Sequence, residues 1–529
     1  MKHSFVGLAT LLGGFVAFSQ PAYAQGGYAS DALLYMRQNP SGTARSLGLA
    51  GANVSLGADF GNLTSNPAGL GFYTKSEVSL TPGVGFGTAN ATQVANSAAV
   101  GSSFPSISQT ANSFHIASAG VVFANRRPDN DNTSAWRGGA FALGFTRLAD
   151  FNQGVQYQNT TNDNHSFFQR LREPYNNGDY TSAGYQANLD DIYNQGQSGG
   201  TYKNIDGLAY GTGLVDQIKV KNPGTGTAQG QTIFRAGTPI RTEPITQTEN
   251  ILTKGSLSQF DLGYGGNYRD RLYIGGGIGV VSLNRTRTST FSESSGGAQD
   301  FVSTDYLKTT GTGINARLGV IVRAADALRL GASVQTPTYI RLTEDYSTSL
   351  TANTKYAAGG GSSLSTAPGT FDYSITTPFR ANAGATVLLG KVGFITGDAE
   401  YVGYSQAKFK TTDGTSDIGL DDGNASIANG YRNVVNARVG AEARLDIFRV
   451  RAGYAYYADP YKNSTFSRNQ NYFSVGTGVR TKTFFVDVAG VYLTSKELYQ
   501  PYQLASLASP MVNITNNRFT ASLTGGLLF

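Results

Sequence analysis

Few residues in this chain have the types and spacing to do covalent chemistry. Gly196-Gln197-Ser198-Gly199-Gly200 fits G-x-S-x-G, the turn that presents a nucleophilic serine in α/β-hydrolases, where a histidine follows later in the chain. The three histidines, His3, His115 and His165, all precede Ser198, so that triad order is impossible. The pentapeptide lies in a Gly/Ser/Asn-rich tract and reads as linker. Asp163 and His165 are the types for an acid/base pair, but their Asn-rich surroundings read as solvated loop. Asp129, Asp131 and Asn132, or Asp421 and Asp422, offer oxygen donors to calcium without the spacing of a defined calcium loop. The absence of cysteine removes thiol catalysis, cysteine zinc sites and disulfides. The expectation is no catalytic residue, no metal site and no cofactor: the chain is not an enzyme.

The elements around these residues are strands. In 529 residues there are 67 Gly, 30 Tyr and 29 Phe, while only 14% are charged, against about 25% in soluble domains. The net charge of +6 comes with no dense Lys/Arg run, which excludes nucleic acid as a partner. Met1 to Ala24 reads as a secretory signal, with Lys2 and His3, an apolar stretch from Phe5 to Phe18, and Ala22-Tyr23-Ala24 at the cleavage site. No later segment is long and apolar enough for a membrane helix, so a membrane form must be a closed barrel.

From Ser76 onward, apolar and polar side chains alternate in segments of about ten residues, the period of a strand between two environments. Phe519, Ala521, Leu523, Leu527 and Phe529 share one face, with Arg518, Thr520, Ser522 and Thr524 on the other. Val435 to Leu445 alternates against Asn436, Arg438, Glu442 and Arg444, which predicts a salt-bridged lumen network of Arg438, Glu442 and Arg444. Ser256–Tyr268 and Thr312–Arg323 repeat the pattern. The predicted strands are 76–86, 113–124, 136–149, 256–268, 271–287, 310–324, 328–347, 372–389, 391–409, 431–445, 447–459, 471–480, 482–493 and 514–529. Short turns alternate with long linkers, the longest an insertion at 150–255. Outer-membrane barrels have short periplasmic turns and long outer loops, so both termini are expected in the periplasm. The fold class is all-β: a transmembrane antiparallel β-barrel of about 14 strands over 76–529. The chain is expected to act as a monomer in contact with outer-membrane lipid and lipopolysaccharide.

Residues 25–75 do not alternate, and Leu33, Leu34, Tyr35, Leu47, Leu49, Val54, Leu56, Leu63 and Leu70 are suited to a plug packed in the lumen. Gly42-Thr43-Ala44-Arg45, Gly51-Ala52, Gly57-Ala58-Asp59 and above all Asn66-Pro67-Ala68-Gly69-Leu70, just before the first strand, resemble the N-terminal hatch of the FadL/TodX transporters of fatty acids and hydrocarbons. The Bacteroidetes-type members look most similar, and the family's barrel also has fourteen strands. The terminal Phe529 resembles the end of the strand that the barrel assembly machinery recognises.

The resemblance implies passive uptake of a hydrophobic small molecule across the bacterial outer membrane. An outer loop would capture the ligand, a pocket lined by the hatch would hold it, and a kink in the third strand would let it leave sideways. Phe167, Phe168, Leu171, Tyr175, Ile192 and Tyr193 in the insertion either form the capture groove or pack the loop onto the rim. Gly138, Gly139 and Gly144 are the glycines of the third strand that would weaken it as a lateral gate. Arg438 or Arg444 would anchor a ligand carboxylate unless Glu442 neutralises them. The alternative is a non-transporting barrel that serves as a scaffold for protein secretion or surface attachment.

Overall fold

The computed structural model describes residues 27–529 except 102–103, 129, 132, 177–201, 203, 216, 222–231, 237–240, 242–243, 297–298, 354–361, 413–417, 464 and 505–506. The predicted signal, Gly196–Gly200, Asp129, Asn132, Ile192 and Tyr193 therefore lie outside the described residues. Among the described residues a closed antiparallel barrel of 14 strands forms. They are β1 (Glu77–Gln93), β2 (Ile107–Arg126), β3 (Trp136–Asp150, then Gln153–Thr161), β4 (Ile245–Tyr268), β5 (Leu272–Ser294), β6 (Asp300–Ala325) and β7 (Leu328–Gln335, then Tyr339–Asn353). The circuit continues with β8 (Gly369–Thr376, then Arg380–Leu388), β9 (Gly393–Val402, then Lys408–Thr411), β10 (Val434–Leu445), β11 (Phe448–Tyr457), β12 (Gln470–Arg480), β13 (Phe484–Tyr499) and β14 (Val512–Leu528). β1 closes the wall on β14 from Glu77↔Leu528 to Gln93↔Val512.

Alternation builds the wall. On β6, Ile314, Leu318 and Val322 point outward while Asn315 and Arg317 are buried inside. From Val322 to Ile314 is roughly 25–30 Å at about 3.4 Å per residue, matching the apolar band a barrel presents to lipid. The same belt runs around β4, β5, β10 and β14 through Phe260, Ile278, Val439 and Leu523. No helix among the described residues is long and apolar enough to cross a membrane, which says nothing of the strands.

The strands extend well beyond the predicted bounds at the loop end. The 150–255 insertion shrinks, because β3 resumes at Gln153–Thr161 and β4 already begins at Ile245. Outside the apolar belt a strand needs no apolar face, so the Gln/Asn/Thr-rich ends carry no alternation to read. The predicted strands 328–347 and 372–389 are each broken, at Thr336–Thr338 and Thr377–Phe379. Pro337 and Pro378 supply no ladder N–H there, and the two breaks face each other: Thr377 N donates to Thr338 O at 2.9 Å and Thr338 N to Thr377 Oγ1 at 3.0 Å.

Residues ahead of β1 fold inside the lumen as short helices: α1 (Tyr28–Met36), α2 (Ala44–Gly48), α3 (Asn62–Ser65) and a 3-10 turn (Pro67–Phe72). At the loop end α4 (Phe167–Asn176), α5 (Ile205–Gly211) and α6 (Ile418–Gly430) complete the described α-helices.

Candidate functional site

The lumen is closed first by the hatch. Gly57 has φ +79°, a left-handed conformation that glycine adopts without strain, and the turn brings Phe72 against it. Thr43 caps α2 by accepting from Ser46 N at 3.2 Å and donates to the Asp59 carboxylate at 2.9 Å. Asn66 is fully buried and its amide donates to Val54 O at 2.7 Å, Val320 O at 3.2 Å and Ala332 O at 3.3 Å. One side chain thus ties the hatch to itself and to two wall strands. Pro67, Ala68, Gly69 and Leu70 are also buried. The wall beneath them is bare: a Cβ on Gly275 would stand 2.4 Å from Pro67 C and O, and one on Gly319 would stand 1.9 Å from Asn66 Oδ1.

Charge holds the other side. Arg45 of α2 lies 3.6 Å from Glu442, which also pairs with Arg444 at 2.9 Å and Arg451 at 2.7 Å. Arg451 continues to Asp487 at 2.6 Å. Arg438 is paired elsewhere, 3.0 Å from Glu400, which Arg380 also meets at 3.1 Å. The two arginines named as ligand anchors are thus both occupied, Arg444 by Glu442 and Arg438 by Glu400. Beside Arg438 and Glu400 lies a small polar cavity of about 50 Å³ between hatch and wall, lined also by Asn53, Asn382, Tyr457 and Leu148.

Above the hatch is an apolar chamber, and α1 fills it. Tyr28, Leu33, Tyr35 and Met36 pack with Phe151, Leu342, Tyr373 and Phe409. The Tyr28 ring meets Tyr373 edge-on at 5.7 Å and Phe409 at 5.4 Å. Polar tethers fix the helix: Asp31 pairs with Arg285 at 3.1 Å, Tyr431 Oη donates to Ala29 O at 2.7 Å, and Arg380 donates to Met36 O.

The wall of the chamber around α1 also carries a pH-sensitive group. Glu344 lies beyond Tyr339, where the outward apolar belt of β7 ends, and accepts from Tyr373 Oη at 2.6 Å. Burial first, and Asp31 next, push its carboxyl up to about 7. The folded chamber then holds a proton that the unfolded chain releases near its ordinary value, so stability falls as pH rises through that interval, by about 3 kcal/mol overall. Protection of α1 from amide exchange is expected to be stronger near pH 5 than near pH 8. Glu344→Gln should flatten that dependence, and an unchanged slope in the variant would assign it to another group.

The wall is interrupted beside this chamber. β2 pairs with β3 only from Ser118↔Thr146 to Arg126↔Gly138, although β2 continues to Ile107 along β1. Past Thr146 the third strand slips register between Arg147 and Ala149, breaks at Phe151-Asn152, and runs on inside, where Val155 and Tyr157 pack on Ala89, Ala91 and Ile514. An opening is left between Phe114 and Ile116 of β2 and Leu148, Ala149 and Phe151 of β3. The latter three belong to the chamber that holds α1, and Asn39 N, just after α1, donates to Leu148 O at 2.9 Å. A polar knot crosses the opening: Asp150 accepts from Arg518 at 2.6 Å and Ser113 at 3.1 Å, with Arg147 at 3.5 Å and His115 at 3.8 Å.

The glycines named as the gate lie below this opening. Gly138, Gly139 and Gly144 are paired with both β2 and β4. A side chain on Gly144 would meet Phe60 of the hatch at 2.6 Å, so close packing on the hatch accounts for that glycine. The strand breaks instead at a Phe-Asn step after a register slip; the step itself holds no Gly or Pro, and the glycine beside it is Gly255 of β4, with φ +127°, which accepts from Phe151 N at 3.0 Å.

At the loop end, Phe167, Phe168 and Leu171 of α4 are buried with Phe291, Phe301, Leu350 and Tyr502. They form a closed cap, the packing alternative for these residues. Tyr175 lies on the same helix. Glu293 accepts from Phe167 N at 2.8 Å and Phe168 N at 3.2 Å, and buried Arg241 bridges Glu293 to Asp163, 3.1 Å away. Asp163 is thereby committed to Arg241, and His165 Nδ1 lies 2.6 Å from Ala508 O, so the two form no acid/base pair. Asp131 accepts from Thr133 and Arg127, while Asp421 and Asp422 are exposed on α6.

No family model matches the chain, and no curated protein does. Among solved structures, a Pseudomonas aeruginosa FadL homologue is similar, with 13% identity, a TM-score of 0.53, and 93% of this chain and 99% of that one covered. The CymD monoaromatic hydrocarbon channel has 12% identity and TM-score 0.47, covering 94% of this chain and 98% of its own. The Pseudomonas putida toluene transporter TodX has 11% identity and TM-score 0.47, covering 94% and 99%. At such identities the likeness to the FadL homologue shows a shared fold.

Proposed function

We propose that the chain is an outer-membrane passage for hydrophobic small molecules, a member of the FadL/TodX family. The observation that carries this reading is the interrupted wall: an apolar chamber reaches the side of the barrel through Leu148, Ala149 and Phe151. A soluble barrel gains nothing from an unpaired edge at that place, whereas a ligand that leaves into lipid needs one. The route begins where the closed cap of Phe167, Phe168 and Leu171 yields, passes the chamber when α1 gives up its place, and ends between β2 and β3. Burial at about 25 cal/mol per Å² supplies the affinity, and the hatch keeps water and ions from following. CymD is a monoaromatic hydrocarbon channel and TodX a toluene transporter, both for ligands of the class proposed here.

Uptake of a long-chain fatty acid or an aromatic hydrocarbon into liposomes holding the protein tests the reading. Uptake well above that of empty vesicles is expected, and a rate equal to theirs would favour the non-transporting scaffold.

A further inference from the structure

The turn end of the barrel holds cations that nothing among the described residues neutralises. The β4–β5 turn reads Tyr268-Arg269-Asp270-Arg271. Asp270 is already taken: Arg126 donates to it at 2.8 Å and Asn267 at 2.7 Å, and Arg137 lies 3.6 Å away. Arg269 and Arg271 are exposed, and among the described residues neither has a carboxylate within salt-bridge distance. Beside them is an aromatic platform. The Arg269 guanidinium lies over the Tyr268 ring at 5.4 Å, and Trp136 meets that ring edge-on at 5.3 Å while remaining 51% exposed.

The backbone adds a second observation. Arg269 and Asp270 have φ +55° and +54°, two left-handed positions of the three-residue turn between the paired Tyr268 and Leu272, where Gly or Asn would be less strained. An arginine there costs about 1 kcal/mol of backbone strain, and strain kept in an exposed turn directs attention to what the side chain binds. The turn also marks the edge of the apolar belt, below Tyr264 and Ile274, the level at which lipid phosphates lie.

We propose that Arg269 and Arg271, with the Trp136–Tyr268 pair, bind the phosphodiester of an anionic phospholipid in the leaflet on the turn side. This rests on the barrel lying in a bilayer. Two exposed guanidiniums without acids match one phosphate, and the indole and phenol sit where headgroup meets acyl chain. The site anchors the protein by charge at one end of its wall and is independent of the passage through it.

Trp136 is the single tryptophan of the chain and reports on this site alone. The full chain in phosphatidylcholine vesicles is doped with equal small fractions of brominated phosphatidylglycerol or brominated phosphatidylcholine, and Trp136 fluorescence is read. The expected result is a preference for the anionic lipid of at least about fivefold, on the order expected for one basic residue at a charged surface. Arg269→Gln with Arg271→Gln should abolish the preference while leaving quenching by the neutral lipid in place, which also shows that the variant is folded and inserted. Equal quenching by the two lipids, or a preference that survives the double substitution, overturns the site but not the membrane reading. Quenching by neither lipid, with access to aqueous iodide, overturns both.

Discussion

Deletion of residues 25–74 is expected to convert an ion-tight barrel into a steadily conducting pore. The wall does not depend on the hatch for closure, since β1 and β14 pair from Glu77↔Leu528 to Gln93↔Val512. The lumen does depend on it for filling. Leu49, Val54, Phe60, Leu63 and Leu70 are nearly or fully buried, and Arg45 and Asn66 join the hatch to the inner wall by an ion pair to Glu442 and a hydrogen bond to Val320 O. Once they are gone, Glu442, Arg451, Asp487 and Glu400 line a water-filled channel, the interior that a barrel of this width presents when unplugged. Conductance across a planar bilayer should rise at least about tenfold. Unchanged conductance would show that the segment is not a plug.

Gly275→Ala is expected to unseat the hatch while leaving the barrel closed. Its methyl carbon would stand 2.4 Å from Pro67 C and O and 2.5 Å from Ala68 N. All are backbone atoms, so no side-chain rotation relieves the clash, and Asn66 beside them must give up its bonds to Val320 O and Ala332 O. Overpacking together with lost buried hydrogen bonds costs about 3 kcal/mol or more, on the order of a hundredfold in the fraction of undocked hatch. Gly276→Ala is the comparison, because its methyl carbon meets the flexible end of Leu318 at 3.1 Å and Arg317 O at an ordinary 3.6 Å, so an effect within about 0.5 kcal/mol is expected. Protease cleavage within 42–72 of the inserted protein distinguishes them. Equal resistance of both variants would show that the hatch does not lie on Gly275.

How much of this was readable in the sequence depended on the environment of each residue. Where one face meets lipid and the other the lumen, alternation is strict, and β6, β10 and β14 fall on the predicted faces residue by residue. Above the belt both faces are polar, so the upper parts of β3 to β7 went unread. The hatch motif was legible because Asn66 and Pro67 act locally, with Asn66 accepting from Ala68 N at 3.1 Å. The ion-pair partners were less so. Glu442 reaches Arg444 along one strand, whereas Glu400 reaches Arg438 from β9, through the register Glu400↔Asn436 and Asp398↔Arg438. The aromatic residues of the insertion were recognised as a cluster, but whether they formed an open groove or a sealed cap depended on Phe291, Phe301 and Tyr502 arriving from three other segments.

The sequence by itself determined the period of the strands, their number and the plug ahead of them, because each is set by neighbours two or three residues apart. The tertiary structure decided where the wall opens, what fills the chamber and which arginines are free. The break at Phe151-Asn152 carries no glycine or proline, and it exists because β4 draws Gln153–Thr161 inward while Arg518 of β14 holds Asp150 across the opening. Contacts between residues hundreds of positions apart leave no period and no motif in the chain, so they become visible only when the barrel closes.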